Sequence, residues 1–278
     1  MPPPASQDSR PKSSLLLALV CASIDPPGLD GGLSSSSSYS PLVTPARSGQ
    51  LLSPIVPDMI WVSERPVWFS GVRLRSRTTV LGLESGGLLL HSPSAPSPEL
   101  VEAIDGLGEV RWIVAPNCFH HLGVVATAAH YKRAKVVGPR SVVEHNKKVE
   151  LHMEIGDDAF GEAIPEIERV HLTGCPFLDE TVLFHRPTGS LIGADLLISA
   201  SPTDHWTWRW AARVMRCYER VQVPPDVRKV TARSEAVARA IEAMAKLPIE
   251  RILVAHCDPI VNDPVGELEE AWRFARPD

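Results

Sequence analysis

The segment 112–123 constrains this chain more than any other. An apolar run, Trp112-Ile113-Val114-Ala115, reads as a short buried strand. Pro116 and Asn117 break it, and His120 and His121 stand side by side where the chain turns. Leu122, Val125, Ala126 and Ala129 then recur at helical spacing. Strand, turn with two imidazoles, helix is how an α/β sheet presents ligands beyond the carboxyl ends of its strands. The plain alternative puts one histidine at a helix cap and the other in solvent. Later sequence weighs against it by supplying matching groups in matching places.

Two further strand ends do so. Thr181 to Phe184 and a Pro187-Thr188-Gly189 turn lead into Leu191-Ile192-Gly193-Ala194, which ends on Asp195. An aspartate there suits a metal ion; it also suits a helix N-cap, because apolar residues follow. Ile252-Leu253-Val254-Ala255 then reads as a buried strand ending on His256 in a Cys-Asp-Pro turn. Imidazoles with a carboxylate suit zinc, iron or manganese.

Around these ends the chain alternates. Short runs at Met59 to Val62, Val67 to Phe69 and Thr78 to Leu83, with a Glu84-Ser85-Gly86-Gly87 turn into Leu88-Leu89-Leu90, predict an antiparallel opening. Ser97 and Pro98 start a helix whose stripe is Leu100, Val101 and Ile104. A strand over 134–138 follows, and residues 139–165 show no clear pattern. The aromatic stretch 205–210 reads as packing anchors or as a contact surface. Ser234 caps a helix buried through Val237, Ile241 and Met244, and Asp263-Pro264 opens a last helix carrying Leu268 and Trp272.

With 278 residues, 44% of them hydrophobic, the chain can bury one large core or two small ones. The net charge of −5 and the lack of a basic cluster argue against nucleic acid or an anionic membrane as the main partner and leave a small-molecule substrate. No apolar run is long enough to span a bilayer. Cys21, Cys118, Cys175, Cys217 and Cys257 are scattered without a CxxC pair, which suits a reducing, cytoplasmic setting. Residues 1–56, rich in proline and serine, read as a disordered arm, and 57–278 as the folded domain. Within the arm, the apolar run 15–22 fits either a targeting segment or an over-long gene-model extension, and both readings stay open.

The order strand-His-His-helix, then Leu-Ile-Gly-Ala-Asp, then Ala-His-Cys-Asp-Pro, resembles the metallo-β-lactamase superfamily of metal-dependent hydrolases. Pro116-Asn117, His120-His121-Leu122, His91-Ser92-Pro93 and the run from Glu180 through Phe184-His185 to Asp195-Leu196 resemble one branch of it, the DUF4336 proteins. The resemblance covers roughly residues 58 to 276. It implies a four-layer αββα sandwich. It also implies that Pro116, Cys118 and Cys175 stand where relatives hold a first metal ion with histidines, so that site is vacated. The second ion's set survives as His120, His121, Asp195 and His256, with His91 and His185 placed to hold these ligands by hydrogen bonds. The implied cofactor is one divalent metal, zinc before iron or manganese. The implied activity is hydrolysis of an ester, thioester, amide or phosphoester. Two alternatives stand beside it: a fold kept as a binding or structural module after the dinuclear site was lost, and thiol chemistry at Cys118. Four protein ligands would close the coordination shell, as in structural rather than catalytic zinc sites.

Overall fold

A computed structural model describes residues 51–277. The proposed targeting run and most of the arm lie outside them. Ser53–Val56 (β1), which the composition places in the arm, pair antiparallel with the start of β2. The folded domain therefore begins earlier than residue 57.

Two long strands follow, β2 (Ile60–Phe69) and β3 (Val72–Gly82), where the sequence predicts three short runs. Pro66 lies inside β2. It is tolerated because β1 pairs only with Ile60–Val62, leaving that edge of β2 open where proline has no N–H to offer. Gly86 and Gly87, at φ +80° and +82°, make the turn into β4 (Leu88–His91). From there the sheet is parallel: β5 (Val110–Val114), β6 (Lys135–Gly138) and β7 (Met153–Glu154) complete seven strands in sequence order. The second sheet runs β8 (Ile167–His171), β9 (Thr181–His185), β10 (Ser190–Ile192) and β11 (Arg251–Leu253), antiparallel except for the last pair.

Alternating side chains sort these strands into layers. Leu81, Leu89, Trp112, Val114 and Val137 of the first sheet meet Ile167, Leu183, Ile192 and Leu253 of the second, forming the inner core. The opposite face of the first sheet, with Leu88, Leu90, Ile113 and Val136, is covered by α1 (Pro98–Asp105), α2 (Val124–His130) and α3 (Arg140–His145). The outer face of the second sheet, with Val182, Phe184, Leu191 and Ile252, is covered by α7 (Glu235–Ala245) and α8 (Pro264–Trp272). This is the expected αββα sandwich. The unpatterned stretch 139–165 holds α3, β7 and α4 (Asp158–Ala163), elements too short to leave a periodic signature.

The helix caps match the sequence. Ser97 Oγ accepts from Leu100 N, and Ser234 Oγ accepts from Val237 N. Asp195 caps nothing: no helix follows until α5 (Trp206–Val214), and α6 (Pro225–Thr231) comes later still.

Candidate metal centre

The carboxyl ends of β4, β5, β10 and β11 converge on one edge of the sandwich. Pro116 O accepts from Thr181 N at 3.0 Å, tying the loop after β5 to the start of β9 in the other sheet. Ser92 N donates to Val114 O at 2.9 Å, holding the end of β4 against β5. On the far side, Trp272 Nε1 donates to Leu196 O at 3.2 Å, so α8 anchors the segment carrying Asp195.

Three of the four expected ligands meet at this edge. One ligand atom each from His120, Asp195 and His256 lies within 4.8 Å of the others. His120 Nε2 is 3.3 Å from Asp195 Oδ2, and His256 Nε2 is 3.5 Å from Asp195 Oδ1. The other nitrogen of each ring is engaged. His120 Nδ1 pairs with the Ser92 hydroxyl at 2.6 Å, and His256 Nδ1 donates to the Arg75 carbonyl of β3. Both rings are thereby turned so that Nε2 faces the carboxylate. Ser92 holds its place with φ +52°, a left-handed conformation unusual for serine.

His121 does not join the group. Its Nδ1 lies 3.2 Å from Asn146 Nδ2, just beyond α3, and burial together with neighbouring His145 holds its pKa below the ordinary value. Residues 118–123 form turns rather than a strand, and the two adjacent histidines leave that turn in different directions. The four-ligand expectation becomes three, two imidazoles and one carboxylate.

Asn117 is the hub that sequence reasoning missed. Fully buried, it accepts at Oδ1 from Phe119 N (3.0 Å) and His120 N (2.9 Å). Its Nδ2 donates to Glu180 Oε2 (3.0 Å) and Asp195 Oδ2 (2.9 Å). Glu180, also fully buried, accepts from Ala194 N (2.7 Å) and Asp195 N (3.0 Å). One amide thus sets the His120 backbone, the Asp195 carboxylate and the loop bearing it. Asn117, Glu180 and Ser92 all lie in segments that carry the family resemblance, yet nothing local in them reveals these roles.

The electrostatics follow from burial among these partners. Burial alone would raise the Asp195 carboxyl, but His120 and His256 outweigh it and hold the group well below the usual carboxylate range. Burial with Asp195 beside it raises Glu180. Burial works against a charged His120, yet Asp195 prevails and its pKa rises. His256 moves the other way, to about 4, because burial outweighs its attraction to Asp195.

The remaining candidates fare differently. His91 is buried beside His120, and burial, then the neighbouring imidazole, lowers its pKa to about 3. Its Nε2 has no hydrogen-bond partner, and the role expected of it belongs to the next residue, Ser92. His185 is placed away from the centre. Glu180 precedes β9 and His185 ends it, about 17 Å along the strand, where its Nδ1 meets Thr188 Oγ1 at 2.8 Å. Cys118 packs against the turn that begins at Cys175: its Sγ donates to Phe177 O at 3.3 Å, and within the turn Leu178 N donates to Cys175 O. Burial, with Asp195 and Asp179 adding to it, pushes the Cys118 thiol up to about 12, and burial raises Cys175 as well. Proline has no side-chain donor to offer a metal, and a thiol whose pKa is raised is a weaker nucleophile at neutral pH.

Comparison with known proteins agrees with the fold. The chain is similar to a metallo-β-lactamase from Pontibacter korlensis, at 12% identity and TM-score 0.53, with 80% of this chain and 98% of that one covered. It is similar to another from Erythrobacter litoralis, solved with β-mercaptoethanol in the active site, at 13% identity and TM-score 0.54, covering 82% and 98%. A third, from Hirschia baltica, gives 11% identity, TM-score 0.51, and coverage of 82% and 100%. None of the curated proteins matches the chain. The chain is a metallo-β-lactamase-fold protein. Within it, residues 57–141 match the family described as Domain of unknown function (DUF4336).

Proposed function

We propose that this protein holds one divalent metal ion at His120, Asp195 and His256 and hydrolyses an ester, thioester, amide or phosphoester. The observation that carries the reading is the paired orientation of the two imidazoles. Each Nδ1 is occupied, by Ser92 or by the Arg75 carbonyl, and each Nε2 faces Asp195. Histidines that ligate metals are fixed in this way by hydrogen bonds to the other ring nitrogen.

Three protein ligands also remove the difficulty of a closed shell, since catalytic zinc sites use three and leave a position open. A bound ion there would make a water more acidic and polarise an acyl or phosphoryl oxygen. The chain's own residues supply the frame: Asn117 and Glu180 hold Asp195, Ser92 and Arg75 hold the rings, and the surrounding core limits water to the open side. The first-ion positions, occupied by Pro116, Cys118 and Cys175, support a mononuclear rather than a dinuclear centre.

Elemental analysis of the purified protein tests this reading. It expects close to one equivalent of metal, lost in His256→Ala and kept in His130→Ala. Absence of metal after reconstitution with zinc, iron or manganese would favour the alternative, a binding module that kept the fold without the chemistry.

A further inference from the structure

The β2–β3 hairpin outruns the sheet it belongs to. β4 pairs with Thr79–Gly82 and β1 with Ile60–Val62, so among the described strands residues 63–69 and 72–78 pair only with each other. The arm projects by about 20 Å at the usual rise per residue. One face of it, through Val72 and Leu74, packs on Trp208, Ala211 and Ala212 of α5. Arg73 N donates to Thr207 Oγ1 at 3.0 Å, and Trp68 meets the His205 ring edge-on at 5.8 Å. Hairpin tip and helix start therefore form one surface.

That surface leaves large apolar groups in water. Trp68 is 63% exposed, Phe69 49% and Trp206 67%. Its charge is mainly positive. The stretches 65–74 and 205–218 contain five arginines, and Glu219 follows directly. Arg65 donates to Ser97 Oγ and Arg209 Nε is buried, which leaves Arg73, Arg213 and Arg216 as the cations of this face. The nearby carboxylates of Glu64, Asp204 and Asp258 are engaged by Arg75 and Arg77. Arg213, an exposed residue, stacks on Tyr218 at 3.6 Å and donates from Nη1 to Arg209 O at 2.8 Å.

We propose that this aromatic and arginine-rich tip docks on an anionic lipid surface. Tryptophan and phenylalanine at a projecting tip enter the interfacial layer, while arginines around them meet the headgroups. A second copy of the chain is the poorer occupant, because a two-fold contact would set the same arginines against each other. Single-stranded nucleic acid would need a groove that tracks its backbone, whereas these rings stand at the end of an arm. The net charge of −5 for the whole chain hides this face. Arg75, from the same arm, holds His256 through its carbonyl and Asp258 through its guanidinium at 2.5 Å, so docking would bring the candidate metal centre near the lipid surface.

Co-sedimentation of the full chain with phosphatidylcholine vesicles, with and without phosphatidylglycerol, tests the proposal, and binding is read without any need for metal or activity. The expected result is sedimentation with the anionic vesicles only, weakened by salt. Trp68→Ser with Trp206→Ser should lower the binding constant about tenfold or more. Arg73→Glu with Arg213→Glu should do the same while leaving the thermal transition in place. No sedimentation with anionic vesicles, equal sedimentation with neutral ones, or binding to an oligothymidylate instead would overturn it. So would a dimer in light scattering that the tryptophan substitutions dissolve.

Discussion

Asn117 Nδ2 lies 2.9 Å from Asp195 Oδ2 while Asn117 Oδ1 receives the His120 backbone N–H at 2.9 Å. One buried amide therefore registers His120, which follows the first sheet, against Asp195, which follows a strand of the second. Replacing it by alanine strands the N–H groups of Phe119 and His120 and leaves Glu180 and Asp195 without their shared donor. Asn117→Ala is expected to cost about 3 kcal/mol in denaturant unfolding and to reduce metal content sharply. A stability within error of the parent would show that the amide is dispensable.

Ser92→Ala tests the orientation of His120 separately from the fold. It removes only the 2.6 Å contact to Nδ1, so the thermal midpoint should move little. Zinc affinity measured by competitive titration should fall about 10- to 100-fold. Unchanged affinity would mean that His120 is held by its packing alone.

His121 separates three ligands from four. Because its Nδ1 faces Asn146, His121→Ala should keep one equivalent of metal under conditions where His256→Ala has lost it. Parallel loss in both variants would return His121 to the ligand set.

Glu64 links the projecting hairpin to acid stability. Burial would raise its carboxyl, but Arg77 and Arg75 outweigh that and hold the pKa below the ordinary 4.5. A carboxyl depressed in the folded state contributes stability above its unfolded pKa, and that stability fades as pH falls from about 4.5 through the lower folded value. Glu64→Gln should therefore destabilise the protein at neutral pH and flatten the loss of stability on acidification. An acid limb as steep as the parent's in urea melts across pH would refute this role.

The start of the fold can be checked by truncation. Leu52 is buried in the outer core of the first sheet, and Ser53–Val56 forms β1. Removal through residue 56 should lower the thermal midpoint relative to removal through residue 50. Identical midpoints would mean that β1 adds nothing to the edge it covers.

The sequence by itself determined the layers and the chemistry of the strand ends. Apolar runs of strand length, Ser97 and Ser234 at helix starts, and His or Asp directly after a strand are local signals, readable because each depends on neighbours a few residues away. The family resemblance then ordered them into an αββα sandwich. Tertiary structure alone decided which groups meet. His120 and His121 are indistinguishable as letters, but the turn sends one to Asp195 and the other to Asn146. Pro66 fits inside β2 only because that edge of the strand is not covered by β1. Asn117, Glu180 and Ser92 gain their roles from partners 14 to 78 residues away, and the arginine-rich tip exists only where two distant stretches pack together. Contacts of that span are settled by how sheets and helices close on one another, and no window along the chain contains them.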